Sequence, residues 1–78
     1  MPMDRVLVGQ RLRKLRGSRS IRCVSNETGI KWSTLDMYEL GQRMPSDDKK
    51  IILAKYYEKT VQELFYDSDI AESNNRKE

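Results

Sequence analysis

The stretch from Ser20 to Gly41, SIRCVSNETGIKWSTLDMYELG, decides the fold. It reads as two short helices joined at Gly29. Ser20 is a side-chain cap for backbone N–H groups that would otherwise be unpaired at the start of the first of these. Ile21, Val24, Ser25 and Thr28 follow on one helical face, at the i, i+3, i+4, i+7 spacing. Gly29 stops the helix where a positive φ costs least, so the chain turns sharply, and Ile30 is the plug beneath that turn. The second helix runs from Trp32 to about Leu40, with Leu35 and Tyr38 as its inward pair, and ends at Gly41.

Working outward, Val8, Leu12 and Leu15 mark the inner stripe of a preceding helix, expected from about Arg5 to Leu15 or Arg16. Arg11, Arg13 and Lys14 fall on its outer faces, Gly17 stops it, and Met1 to Asp4 form a loose lead-in. On the other side, Pro45 forbids a helix through the Gly41–Pro45 loop. Ser46 caps a fourth helix, with Asp47 and Asp48 in its first turn, where the dipole favours negative charge. That helix is expected to reach Tyr57 or Glu58 and to pack Leu53, Ala54 and Tyr57 inward. Thr60-Val61-Gln62-Glu63 is a capping box for a short fifth helix, with Val61, Leu64 and Phe65 closing the core. The expected architecture is all-α: a single compact domain over residues 1–66. Residues 67–78, DSDIAESNNRKE, are polar with almost nothing to bury and are expected to be a disordered tail. Two short helices at a steep angle around a Gly turn are the pattern of a helix-turn-helix.

Composition narrows the chemistry. The chain has 78 residues, one Cys and no His. An internal disulfide framework, a Cys/His zinc cluster and a histidine base are therefore excluded. No nucleophile–base set, metal cluster or phosphate-binding loop appears, so the chain is read as a non-enzyme without a cofactor. The longest apolar runs, Val6 to Val8 and Ile51 to Ala54, are too short to span a bilayer, and Asp4 and Arg5 interrupt any signal-peptide core. A cytoplasmic location is expected. The net charge of +3 is unevenly placed. Residues 1–46 carry nine Lys/Arg against four Asp/Glu, and residues 47–78 six against eight, so the basic excess lies on the half that holds the two-helix unit. That asymmetry points to a polyanionic partner.

The ordered set of residues resembles the Cro/C1-type, or XRE, family of helix-turn-helix transcriptional regulators. The carrying positions are Val8 to Arg16, Thr28-Gly29-Ile30, Ser33-Thr34-Leu35, Tyr38-Glu39-Leu40-Gly41, Pro45, Leu53-Ala54 and Val61 to Phe65. The resemblance implies a five-helix, lambda-repressor-like domain whose third helix enters the major groove. It also implies double-stranded operator DNA as partner, a bacterial or phage setting, and repression by occlusion as a homodimer. On this reading Lys31, Trp32, Ser33, Thr34, Asp36 and Met37 face base edges. Arg19, Ser20, Arg22, Gln42 and Arg43 hold phosphates. Arg16 and Glu39 form the family's structural ion pair between the first and third helices.

Five positions, Trp32 among them, depart from the family pattern. Ile21 stands where a polar phosphate-contacting residue is usual, leaving that contact to Arg22 or Arg19. Ser25 replaces a small Ala and needs a hydrogen bond, for which its own i−4 carbonyl is the nearest acceptor. Lys31 replaces the usual hydroxyl cap of the third helix. Glu58 replaces the Gly that ends the fourth, so that corner is expected to be strained or differently built. Trp32 has two readings: a contact to a thymine methyl or sugar edge, or an anchor beside Ile21. Asp36 either accepts from a cytosine amino group or orients Lys31. Ile52, Tyr56 and Tyr66 are expected to form an apolar patch for a dimer interface, the alternative being a cover formed by the tail through Ile70. A rival function is a protein-interaction module, an anti-repressor or regulatory partner, that kept the fold without reading DNA.

Overall fold

The side chain of Asp4 accepts a hydrogen bond from the Leu7 backbone N–H at 2.9 Å, so the residue expected in a loose lead-in is the cap of the first helix. A computed structural model describes residues 4–66, and the sequence-based expectations for Ile70 and the 67–78 tail lie outside them. Five helices follow in order: α1 (Arg5–Arg16), α2 (Ile21–Thr28), α3 (Trp32–Glu39), α4 (Asp47–Tyr56) and α5 (Val61–Phe65). No strand occurs among the described residues.

Four helix starts are built from side-chain caps. Asp4, Ser20, Ser46 and Thr60 each accept from a backbone N–H three residues on, and Thr60 and Glu63 complete the reciprocal capping box. Only α3 lacks one: Lys31 occupies its cap position and makes no side-chain bond there. Two of the C-termini share one design. After α3, the Gln42 N–H reaches the Met37 carbonyl and the Gly41 N–H the Tyr38 carbonyl. After α4, the Lys59 N–H reaches the Ala54 carbonyl and the Glu58 N–H the Lys55 carbonyl. Both are Schellman closures, which need a left-handed residue at the bend. Gly41 supplies it at φ 76°, whereas the α4 corner forces Glu58 to φ 58°. The expected strain at Glu58 is thus real, and it ends α4 at Tyr56 rather than at Tyr57 or Glu58.

The core is drawn from every helix and from the turn between α2 and α3. Val8 and Leu12 of α1, Val24 of α2, Ile30, Leu35 and Tyr38 of α3, Leu53, Ala54 and Tyr57 near α4, and Leu64 and Phe65 of α5 are all buried. Each fully buried aliphatic or aromatic side chain contributes roughly 1.5–3 kcal/mol. With so few of them, a small domain keeps a narrow margin, and individual contacts matter. Leu15, Ile21, Ile52 and Val61 lie half-buried around this centre. Helices approach closely at Gly9, where α1 crosses the last turn of α3. A Cβ added there would sit 2.5 Å from the Tyr38 carbonyl oxygen and 2.6 Å from that of Glu39. That crossing sets how far α3 stands from the body of the domain.

Candidate nucleic-acid interface

The turn that aims α3 is clamped through Ile30. Ser25 Oγ donates to the Ile30 carbonyl at 2.6 Å, and the Ile30 N–H donates to Thr28 Oγ1 at 3.2 Å. Thr28 Oγ1 in turn donates to the Val24 carbonyl at 2.7 Å. The Ser25 hydroxyl therefore bonds across the turn, not back to its i−4 carbonyl as the sequence suggested. The chain beyond Gly29, itself at φ 79°, brings the Ile30 carbonyl within reach, and that bond links the two helices where an i−4 bond would serve only α2.

The other end of α3 is fixed by a fork. Arg16 Nε lies 2.8 Å from one Glu39 carboxylate oxygen, and its terminal Nη2 lies 2.9 Å from the other. Its remaining terminal nitrogen, Nη1, donates to the Arg19 carbonyl at 2.7 Å. One guanidinium thus joins the end of α1, the end of α3 and the intervening loop, in a bidentate geometry that lysine lacks. Arg5 adds a second tie, from Nε to the Gly41 carbonyl at 3.1 Å. Held at both ends, α3 presents Lys31 and Trp32 exposed, and Ser33, Thr34, Asp36 and Met37 partly exposed. All six expected base-facing residues thus reach solvent to some degree. Asp36 makes no ion pair with Lys31; the Arg16–Glu39 pair is the one salt bridge among the described residues whose partners are both identified.

Cations flank this surface on two sides. Arg22, exposed at the start of α2, lies over the Trp32 ring with its guanidinium carbon 5.5 Å from the centroid. On the far side, Thr34, Tyr38, Arg43, Met44, Ser46 and Lys49 line one shallow depression. Lys49 was not among the residues expected at the site. The available signal was its place in the first turn of a Ser46-capped helix, entered from the loop that carries Arg43. Gln42 is exposed beside Arg43, while the Ser20 hydroxyl accepts the Cys23 N–H as a cap.

Arg19 has partners within the domain that its place in the sequence does not announce. Its guanidinium lies over both the Tyr56 and Tyr57 rings, 5.3 and 5.5 Å from their centroids, and donates to the Leu15 and Arg16 carbonyls. These four neighbours tie it to the end of α1 and the end of α4, while the residue itself stays exposed. The sequence places Arg19 next to Ser20 but is silent about tyrosines more than thirty residues away.

The expected Ile52–Tyr56–Tyr66 patch is divided. Ile52 and Tyr56 share a shallow groove with Glu27, Thr28 and Lys55 between α2 and α4. The Tyr56 hydroxyl donates to the Glu27 carboxylate, which holds that hydroxyl above its ordinary pKa. Tyr66 is engaged elsewhere, accepting from Lys50 Nζ at 2.9 Å beneath a cation–π contact of 4.8 Å. The helix-four residues stay together because they are four apart on one face, whereas the turn after α5 carries Tyr66 to the Lys50 side. Burial raises the neighbouring Tyr57 hydroxyl to about 12, and the Glu39 carboxylate adds to the effect.

No helix among the described residues is long and apolar enough to cross a membrane. No family model matches the chain, and it matches neither a curated protein nor a solved structure.

Proposed function

We propose that the chain is a sequence-specific, double-stranded DNA-binding transcriptional regulator of the Cro/C1-type helix-turn-helix kind, acting as a homodimeric repressor by occluding its operator. One observation carries the reading: the first turns of α3 offer Lys31, Ser33 and Thr34 on a helix fixed at both ends, with Arg22 on one flank and Arg43 with Lys49 on the other. A helix of eight residues fits a major groove about 12 Å wide, and side chains on its first turns are the ones that meet base edges. Cations on the flanks suit the two phosphate backbones that border the groove. The role of each residue follows from its place. Lys31 is a donor for guanine O6 or N7, Ser33 and Thr34 are short donors or acceptors for base edges, and Arg43 and Lys49 hold phosphate. The α2/α4 groove lined by Ile52 and Tyr56 is the proposed dimer surface, because one domain reads only one half-site.

Titration of the protein against random duplex DNA at increasing salt tests the reading. Binding that weakens linearly on log–log axes supports it. Absence of any salt-sensitive affinity overturns it in favour of a protein-interaction module. Selection of sites from random duplexes, followed by footprinting, then reports dimerisation: a footprint with two half-sites about one helical turn apart is expected.

A further inference from the structure

Trp32 is the only tryptophan in the chain, and it stands 47% exposed in the first turn of α3. An indole is among the largest apolar surfaces a side chain carries, and its neighbours on this turn, Lys31 and Ser33, are polar. The core does not take it: the turn beneath is already filled by Ile30, which is buried. The ring is nonetheless held. Arg22, from the first turn of a different helix, lies over it at 5.5 Å, and no carboxylate among the described residues is found paired with that guanidinium. A guanidinium stacked on an aromatic face keeps its N–H donors at the edge of the stack, free to bond. Arg22 thus sets a cation and its N–H donors beside the apolar ring.

The groups that line a major groove are hydrogen-bond donors and acceptors, with one exception, the C5-methyl group of thymine. A polar base edge set against an indole would lose water without gaining a partner, whereas a methyl loses nothing and gains contact. Resting on the regulator reading above, we infer that Trp32, held by Arg22, is a specificity-determining residue that reads the C5-methyl group of a pyrimidine in the operator. Arg22 is the positioning residue, and its free N–H groups bond an adjacent phosphate or guanine.

The full-length protein and a duplex selected by it from random DNA provide the test. Each thymine is replaced in turn by uracil, which removes only the C5-methyl group, and each cytosine in turn by 5-methylcytosine. Affinity is read by gel shift for every protein and, for those that keep Trp32, independently by the fluorescence of that single tryptophan. The expected result is one thymine per half-site at which uracil weakens binding about fourfold, the burial of one methyl's worth of surface. Trp32→Ala should bind the thymine and uracil duplexes equally, while Trp32→Phe retains part of the difference. Arg22→Ala should shrink it. A cytosine whose methylation strengthens wild-type but not Trp32→Ala binding, with no uracil-sensitive thymine, assigns the ring to methylcytosine instead and keeps the inference. Uracil sensitivity that persists in Trp32→Ala, or binding with no methyl-sensitive position, overturns it and leaves the regulator reading standing. Failure to bind any duplex overturns both. Thermal melts of the variants, unchanged from wild type for an exposed residue, separate these outcomes from unfolding.

Discussion

At the scale of single residues, the Arg16–Glu39 fork is the most consequential polar contact in the domain. Its three hydrogen bonds join the end of α1 to the end of α3 and to the loop before α2, and both side chains are largely shielded from water. Hydrogen bonds to charged groups contribute about 1.5–3 kcal/mol, and removing one partner leaves the other charge stranded. Arg16→Ala is therefore expected to lower unfolding free energy by about 2–3 kcal/mol in urea melts, with Arg16→Lys recovering only part of it. This pair was legible in the sequence only through the family resemblance, because the two residues occupy the positions of that family's ion pair. Arg19 was not, because a guanidinium takes whichever partners the fold delivers, here two rings of α4. Tyr57 yields a pH prediction. Its hydroxyl is raised to about 12 in the folded protein, against about 10 in the unfolded chain. Above pH ~10 the unfolded state releases that proton while the folded state keeps it, so the stability present below pH ~10 falls as pH rises towards the folded value. The slope contributed is about 1.4 kcal/mol per pH unit. Tyr57→Phe removes no hydrogen bond identified in the structure, so melts near neutral pH should change little while the alkaline decline becomes shallower.

At the scale of helices, the sequence was most informative where caps and glycines speak for themselves. Ser20, Ser46, Thr60, Gly29 and Gly41 placed five helix boundaries to within a residue, because side-chain capping and positive φ are local demands. Asp4 is less legible because Val6 and Leu7, which follow it, are exposed and the buried stripe of α1 begins only at Val8. Gly9 stands in the Val8–Arg16 run without a local reason, since its reason is another helix. Its missing Cβ lets α1 lie against the Tyr38 and Glu39 carbonyls. Gly9→Ala must push backbone aside, and overpacking of this kind costs about 1–3 kcal/mol. The expected outcome is a lower melting temperature together with weaker DNA binding, since α3 is what moves. Glu58 offers the reverse case. It sits at φ 58° in a Schellman closure that glycine fills at Gly41 without strain. Left-handed backbone costs an L-residue roughly 1–2 kcal/mol, of which a glycine's greater unfolded-state entropy returns about half. Glu58→Gly should therefore stabilise the domain by about 0.5–1 kcal/mol, read as a shift of the urea midpoint at constant slope.

For the molecule as a whole, the uneven charge first read along the chain looks different once folded. Of the nine basic residues among positions 1–46, Arg16 and Arg19 are committed to holding the fold, and Arg11 donates to the Glu63 carbonyl on the α1/α5 side. The field on the proposed reading surface is thus carried by fewer cations than the count implied: Arg22, Lys31 and Arg43. It is supplemented by Lys49 from the half that is acidic overall. The sequence could supply the sign of the patch but not its membership, because charge counts ignore which guanidinium groups are already occupied. That distinction is measurable. Each phosphate contact releases condensed counterions, so removing one lowers the slope of log affinity against log salt by about 1 without changing which sequence is preferred. Arg43→Ala and Lys49→Ala are each expected to do so, and the double variant to lower the slope by about 2. Arg19→Ala should leave the slope nearly unchanged while lowering the melting temperature, because its donors already face carbonyls and tyrosine rings. Lys14→Ala, in the cleft between α1 and α5, should alter neither. A slope that falls with Arg19 but not with Lys49 would move the phosphate track from the α3/α4 side to the α1/α2 corner. It would also return Arg19 to the role that its place beside Ser20 first implied.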